Sequence, residues 1–154
     1  MSDQPTFNLH EAHIRFSTEL FGITQEYIDQ ADQRSSEEDM TMLHTAIASL
    51  WHWTQRDDVS YENLSVGYWQ VSRVYNLIKQ PHNARTYGLL ALKYADGLDP
   101  FFKSFAYETL ARAEMQSGNR VIMLVYMEKA NAMAELIEDE ENRALLRKYL
   151  SSIK

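Results

Sequence analysis

The stretch Tyr68-Trp69-Gln70-Val71-Ser72-Arg73-Val74-Tyr75 decides the fold, because its pattern returns 39 residues later as Tyr107-Glu108-Thr109-Leu110-Ala111-Arg112-Ala113-Glu114. The recurrence extends downstream at the same offset: Ala84, Gly88 and Ala91 correspond to Met123, Met127 and Ala130. Large residues at Tyr68 and Tyr107 fill the space between helix pairs, and small ones at Ser72, Gly88 and Ala91 let helix axes approach. A repeat of this length reads as two helices per unit.

Outward from this core, apolar residues recur at helical spacing from Leu9 through His13, Phe16, Leu20, Ile23, Tyr27 and Ile28. They lie near one face of a first helix, which polar residues 29–34 end. Ser35 with Glu38 forms a capping box. It opens a second helix to about Arg56, whose stripe reads Met40, Leu43, Ile47, Leu50 and Trp51. After the turn Asp57-Asp58-Val59, Ser60 caps a third helix reaching about Ile78, and Lys79-Gln80-Pro81 breaks it. The fourth helix covers about residues 82–96, closed by Gly97 in a left-handed conformation. Asp99-Pro100 starts the fifth with an acceptor at the cap and proline at the first helical position. Ser117-Gly118-Asn119 ends it, and the sixth runs over about residues 120–137. The last begins among acidic residues 138–141 and ends near Arg147, Lys148 and Lys154, an order that complements the helix dipole. The expectation is an all-α single domain, residues 1–154, of about seven helices in stacked antiparallel pairs with a C-terminal capping helix.

The repeat resembles the tetratricopeptide pattern. It departs from it by about five extra residues placed around positions 97–100. Glu114 stands where the first copy has the aromatic Tyr75, and Asp96 and Glu135 stand at the usual closing proline. The first two helices carry no clear copy. Together with Leu43-His44 through His52-Trp53, and Phe105-Ala106-Tyr107-Glu108 with Ala111-Arg112, the chain resembles, over about residues 10–150, short bacterial proteins with tetratricopeptide-like helices and no assigned activity. The resemblance implies the fold and supplies no chemistry.

Composition narrows the function. With 45% hydrophobic and 24% charged residues the chain is globular, and only five glycines and three prolines argue against many short strands. The absence of cysteine excludes disulfides, thiolate nucleophiles and cysteine-bound zinc. Residues 1–9 are polar and do not read as a secretory signal. No apolar run approaches the roughly 20 residues of a membrane span, so a cytoplasmic protein is expected. A formal net charge of −7 opposes nucleic-acid binding. No nucleophile triad, phosphate loop or close carboxylate set stands out, and the reading is non-catalytic, with no cofactor or metal.

In tetratricopeptide arrays the first helix of each pair lines a concave groove, which by position places Val66, Trp69, Arg73 and Asn76 there, with Phe105, Glu108, Arg112 and Met115. Arginine offers a planar fork to carboxylates and stacks on aromatic rings, so the groove suits a protein or peptide partner with acidic groups. Equally, Glu108 can neutralise Arg73 or Arg112, the latter at the i,i+4 ion-pair spacing. The two readings can coexist. A second candidate joins His44, His52 and Trp53 with Trp69 in an aromatic pocket for a small molecule or metal; against it, one histidine can serve a backbone carbonyl while the tryptophans fill core. His10 and His13, at i,i+3, lack metalloprotease spacing and read as a solvated pair. Met115, Met123, Met127 and Met133 either fill the core or form an adaptable surface. Leu145, Leu146, Tyr149, Leu150 and Ile153 cap the last pair, and their exposed remainder could pair with a second copy in a homodimer.

Overall fold

The computed structural model describes residues 7–154, so the part of the polar lead before Phe7 lies outside the described residues. Seven helices follow in order: α1 (Leu9–Asp29), α2 (Ser36–Thr54), α3 (Tyr61–Leu77), α4 (Pro81–Tyr94), α5 (Pro100–Gln116), α6 (Arg120–Ala134) and α7 (Glu140–Ser151), with one 3-10 turn at Ala31–Gln33. No strand occurs among the described residues, and none of their helices is long and apolar enough to cross a membrane.

Local chemistry sets the boundaries. Ser35 Oγ accepts from the Glu38 amide at 3.2 Å while Glu38 Oε2 accepts from the Ser35 amide at 2.7 Å, which satisfies two orphan donors reciprocally. Ser60 and Asn63 form the same box at α3. Asp99 caps α5 through the Phe101 amide at 2.9 Å, with Pro100 first in the helix. Pro81 likewise begins α4. Gly97 adopts φ +76° after α4, where a side chain would be strained.

Each helix packs against the next, and the odd-numbered helices also touch in series, α1 to α3 to α5 to α7. The first pair is antiparallel, because His13, Ser17 and Thr24 of α1 meet His52, Ser49 and Thr45 of α2 in reverse order. The repeat holds at the level of contacts. Tyr68 meets Tyr87 and Tyr107 meets Tyr126, each with ring centroids 6.1 Å apart. Val71 and Ser72 are buried as are Leu110 and Ala111, and Ala84, Gly88 and Ala91 as are Met123 and Ala130. Glu114, at the position of Tyr75, is buried too, and it ion-pairs with Arg85 on α4 and accepts from Asn119. That pair joins α4 to α5 where an aromatic would have done so by packing.

The buried faces of α1 and α2 coincide only in part with the apolar stripes. His13, Ser17, Thr24 and Ile28 are buried on α1, whereas Leu9, Phe16 and Ile23 are exposed. On α2, Met42, Leu43, Ala46, Ser49 and Leu50 are buried, and Met40, Ile47 and Trp51 are exposed. Small polar residues win because they permit close approach and bond across it: Ser49 donates to the Ser17 carbonyl at 2.7 Å and Thr24 to Thr45 Oγ1 at 2.8 Å. Each such bond is worth about 1 kcal/mol.

α7 runs in the same direction as α5. Residues 137–139 and Asn142 share a recess with Asp99, Phe101 and Phe102 at the start of α5, and the far end of α7 meets Arg112. Leu146, Leu150 and Ile153 are buried in the last core cluster with Met123, Ala130 and Phe105. The final helix therefore spends its apolar face inside the chain, and only Leu145 of that set is exposed. Met115 and Met127 pack against the same cluster, as gap-filling thioethers do.

Candidate functional site

The aligned odd-numbered helices wall an apolar trough. One cavity in it, about 290 Å³, is lined by Phe21 and Gln25 of α1, Ser65, Val66 and Trp69 of α3, Phe101, Phe102 and Phe105 of α5, and Leu145 and Tyr149 of α7. A neighbouring recess of about 310 Å³ shares Phe21, Val66 and Phe102 and continues the trough to Trp53 and Glu62. Residues three or four apart, such as 65 or 66 with 69 and 101 or 102 with 105, are neighbours on a helix surface, so one side of each helix contributes a patch. Edge-on aromatic contacts brace the floor: Trp69 to Phe105 at 5.8 Å and Phe105 to Tyr149 at 5.9 Å.

Two polar groups stand at this wall without partners. The Arg73 guanidinium lies 4.2 Å from the Tyr149 ring centroid and 6.0 Å from that of Trp69. Among the described residues no carboxylate pairs with it within salt-bridge distance. Arg73 Nε and Trp69 Nε1 are both buried without a hydrogen-bond acceptor. Buried donors left unpaired are costly, on the order of 1–3 kcal/mol each, and an incoming acceptor recovers that cost.

Arg112 is committed elsewhere. Its Nε and a terminal nitrogen donate to Glu108 Oε1 at 2.9 and 2.7 Å, and that nitrogen also reaches the Tyr149 carbonyl and Ser152 Oγ, each at 2.9 Å. Glu108 is fully buried. The pair therefore caps the C-terminal end of α7 and is not displayed to a ligand. Asn76 is likewise withdrawn. It is buried and donates to Thr109 O and Oγ1 at 3.0 Å, while Gln116 donates to its carbonyl at 2.9 Å. The groove positions thus divide: Val66, Trp69 and Phe105 line the trough, Arg73 flanks it, and Asn76, Glu108 and Arg112 are structural.

The proposed histidine and tryptophan pocket separates for a similar reason. Adjacent residues on a helix diverge by about 100°, so His52 turns to α1 while Trp53 turns to the trough. His44 is exposed. His52 Nδ1 lies 2.8 Å from His13 Nδ1, and burial first, then His13, lowers its pKa below the ordinary 6.5. His13 is buried, as its place in the apolar stripe suggests and its reading as half of a solvated pair does not, and His10 approaches Asp57 at 3.9 Å. Trp53 carries Arg56 on its face at 4.2 Å. Among the described residues no three His, Asp or Glu side chains gather as a metal cage would require.

Reading by repeat position did not reach Phe21, Gln25, Phe101, Phe102, Leu145 and Tyr149. The first two sit in a helix pair with no sequence copy, and Tyr149 enters only because α7 folds back beside α5. Phe101-Phe102 directly after a helix start was the one visible signal.

No protein family, curated protein or solved structure matches the chain.

Proposed function

We propose that the protein is a non-catalytic binding module, in the manner of tetratricopeptide-like adaptors, whose trough receives an apolar side chain of a peptide or protein partner. A neighbouring carboxylate of that partner pairs with Arg73. One observation carries this reading: an apolar cavity walled by four helices has at its edge an arginine with no acidic partner and an indole N–H with no acceptor. A charge-assisted contact to carboxylate complements Arg73. Partners of this kind pair an apolar side chain with a carboxylate, and the proposed setting is the cytoplasm.

An array of peptides pairing Phe, Leu or Ile with a nearby Asp, Glu or C-terminal carboxylate tests it. Binding is expected for such peptides, weakened at least tenfold by Arg73→Ala and by amidating the carboxylate, and abolished by Val66→Arg, with helicity unchanged. An array without binders, or binders indifferent to both substitutions, overturns the proposal.

A further inference from the structure

The tyrosines of α3 and α4 form a continuous ladder. Tyr61, Tyr68 and Tyr75 recur every seventh residue of α3, and Tyr87 and Tyr94 stand seven apart on α4. Seven residues are close to two helical turns, so each set lies along one line of its helix. The two helices run antiparallel, since Ser65 bonds to Ala91 and Ser72 to Ala84. They interleave the rings in the order Tyr61, Tyr94, Tyr68, Tyr87, Tyr75, with successive centroids 5.7, 5.5, 6.1 and 5.5 Å apart. Tyr68 and Tyr94 are the parallel pair, with 6° between their planes. With planes at van der Waals separation, about 3.5–4.0 Å, centroids 5.5 Å apart mean offset rings. The rim of one ring then lies over the rim of the other, which is the approach that carbon–carbon coupling needs.

Packing alone does not ask for phenols here. Five of the nine tyrosines stand in the ladder, whereas residues 61–94 contain none of the six phenylalanines, four of which line the trough. A phenol differs from a phenyl ring in that it can release an electron together with its proton. Tyr61 is exposed at 62% and the other four rings are half-buried, so an oxidant in solution meets the ladder first at Tyr61. Burial first, then Tyr94 and Tyr87, holds the Tyr68 phenol above the ordinary tyrosine value, and burial and Tyr87 do the same for Tyr75. Both therefore keep their protons at neutral pH until they are oxidised.

We propose that Tyr68 and Tyr94 are an oxidative cross-linking site, at which a one-electron oxidant of the metal-centred or peroxidase type joins α3 to α4 by a dityrosine bond. The oxidant takes one electron from an accessible ring of the ladder, and the phenolic proton passes to water. A neighbouring ring then gives up its own electron and proton, the first ring regains both, and the radical has moved one step. A second equivalent of oxidant places a second radical in the ladder. When Tyr68 and Tyr94 hold the two, they couple through a carbon ortho to each hydroxyl. The hydrogen on each of those carbons shifts, as a proton, to the adjoining oxygen and restores the two phenols. In sum two electrons go to the oxidant, two protons go to water, and one carbon–carbon bond forms. Tyr68 stands more than a third of a turn round α3 from Val66 and Trp69, so the staple leaves the trough open.

Brief illumination of the full chain with tris(bipyridine)ruthenium(II) and persulfate tests this, at a concentration low enough to disfavour coupling between molecules. The expected product is a monomer that has lost two hydrogens, fluoresces as dityrosine, and yields on proteolysis one peptide joining Tyr68 to Tyr94. Tyr68→Phe and Tyr94→Phe, which keep the ring and remove the phenol, should each abolish that peptide with helicity unchanged. Tyr61→Phe should lower its yield severalfold by removing the exposed entry. Tyr107→Phe, in the separate Tyr107–Tyr126 pair at 6.1 Å and 29°, should leave the yield as it was. A chain that forms no internal cross-link overturns the proposal. So does a link that forms chiefly between other tyrosines, or a yield indifferent to Tyr61→Phe.

Discussion

Glu108 and Arg112, one turn apart on α5, form an ion pair through two nitrogens on one buried carboxylate oxygen, and the same arginine holds the Tyr149 carbonyl near the end of α7. Removing the arginine strands a fully buried carboxylate and releases the capping helix together. Arg112→Ala should cost about 2–4 kcal/mol, below the full penalty for breaking a buried pair because the guanidinium is partly solvated. Urea unfolding measures the loss. Hydrogen exchange should show α7 deprotected before α3, and uniform protection would contradict the staple role.

Two glycines should respond oppositely to alanine. At Gly88 a Cβ would stand 2.9 Å from Leu110 Cδ2 and 3.2 Å from Ser72 Oγ. Neither yields readily, since Leu110 is fully buried and Ser72 bonds Ala84 O and Thr109. Overpacking of about 1–3 kcal/mol exceeds the gain of about 1 kcal/mol in helix propensity, so Gly88→Ala lowers stability. Gly22 meets nothing within 4 Å, and Gly22→Ala should stabilise by about 0.5–1 kcal/mol. Calorimetric melting should move the two variants to opposite sides of the wild type by a few degrees.

The His13–His52 contact predicts a pH dependence. One Nδ1 donates and the other accepts, so the contact needs a neutral acceptor. The folded pKa of His52 lies below its ordinary 6.5, which means the unfolded chain binds more protons between the two values, and stability falls as pH drops through that window. Glu114, held below its ordinary 4.5 chiefly by the Arg85 hydrogen bond, adds a second decline at lower pH by the same sign. Urea midpoints measured from pH 7.5 to 3.5 should show both steps, and His52→Gln should flatten the upper one. An unchanged upper slope in that variant would refute the assignment.

Asn76→Ala separates structure from recognition. It removes two bonds to Thr109 and leaves Gln116 without its side-chain partner, at a cost of about 2–3 kcal/mol. Peptide affinity should stay within twofold of wild type at temperatures where the variant is folded. A selective loss of affinity would return Asn76 to the groove.

Helix boundaries were legible because caps act within four residues of themselves. Ser35 with Glu38, Asp99 with Pro100, and Gly97 each behave in the fold as their local chemistry requires. The 39-residue repeat was legible because packing between equivalent helices demands equivalent side chains, as the matched contacts of Tyr68 and Tyr107 show. Three of the ten residues lining the cavity followed from it: Val66, Trp69 and Phe105 come from repeat positions. Asn76 and Arg112 did not hold, since a position facing along a groove cannot be told by spacing alone from one facing the neighbouring helix.

What the sequence by itself determined is the seven-helix chain, its turns and the repeating pairs, all governed by interactions between residues near in the chain or equivalent by repetition. Only the tertiary structure decided which flank of α1 and α2 is buried and that α7 folds back beside α5 to complete the trough. A helix with apolar residues on one flank and small polar residues on another can be buried either way. The choice falls to the neighbour, and here Ser49 and Thr45, bonding to Ser17 and Thr24, turn Phe16 and Ile23 outward.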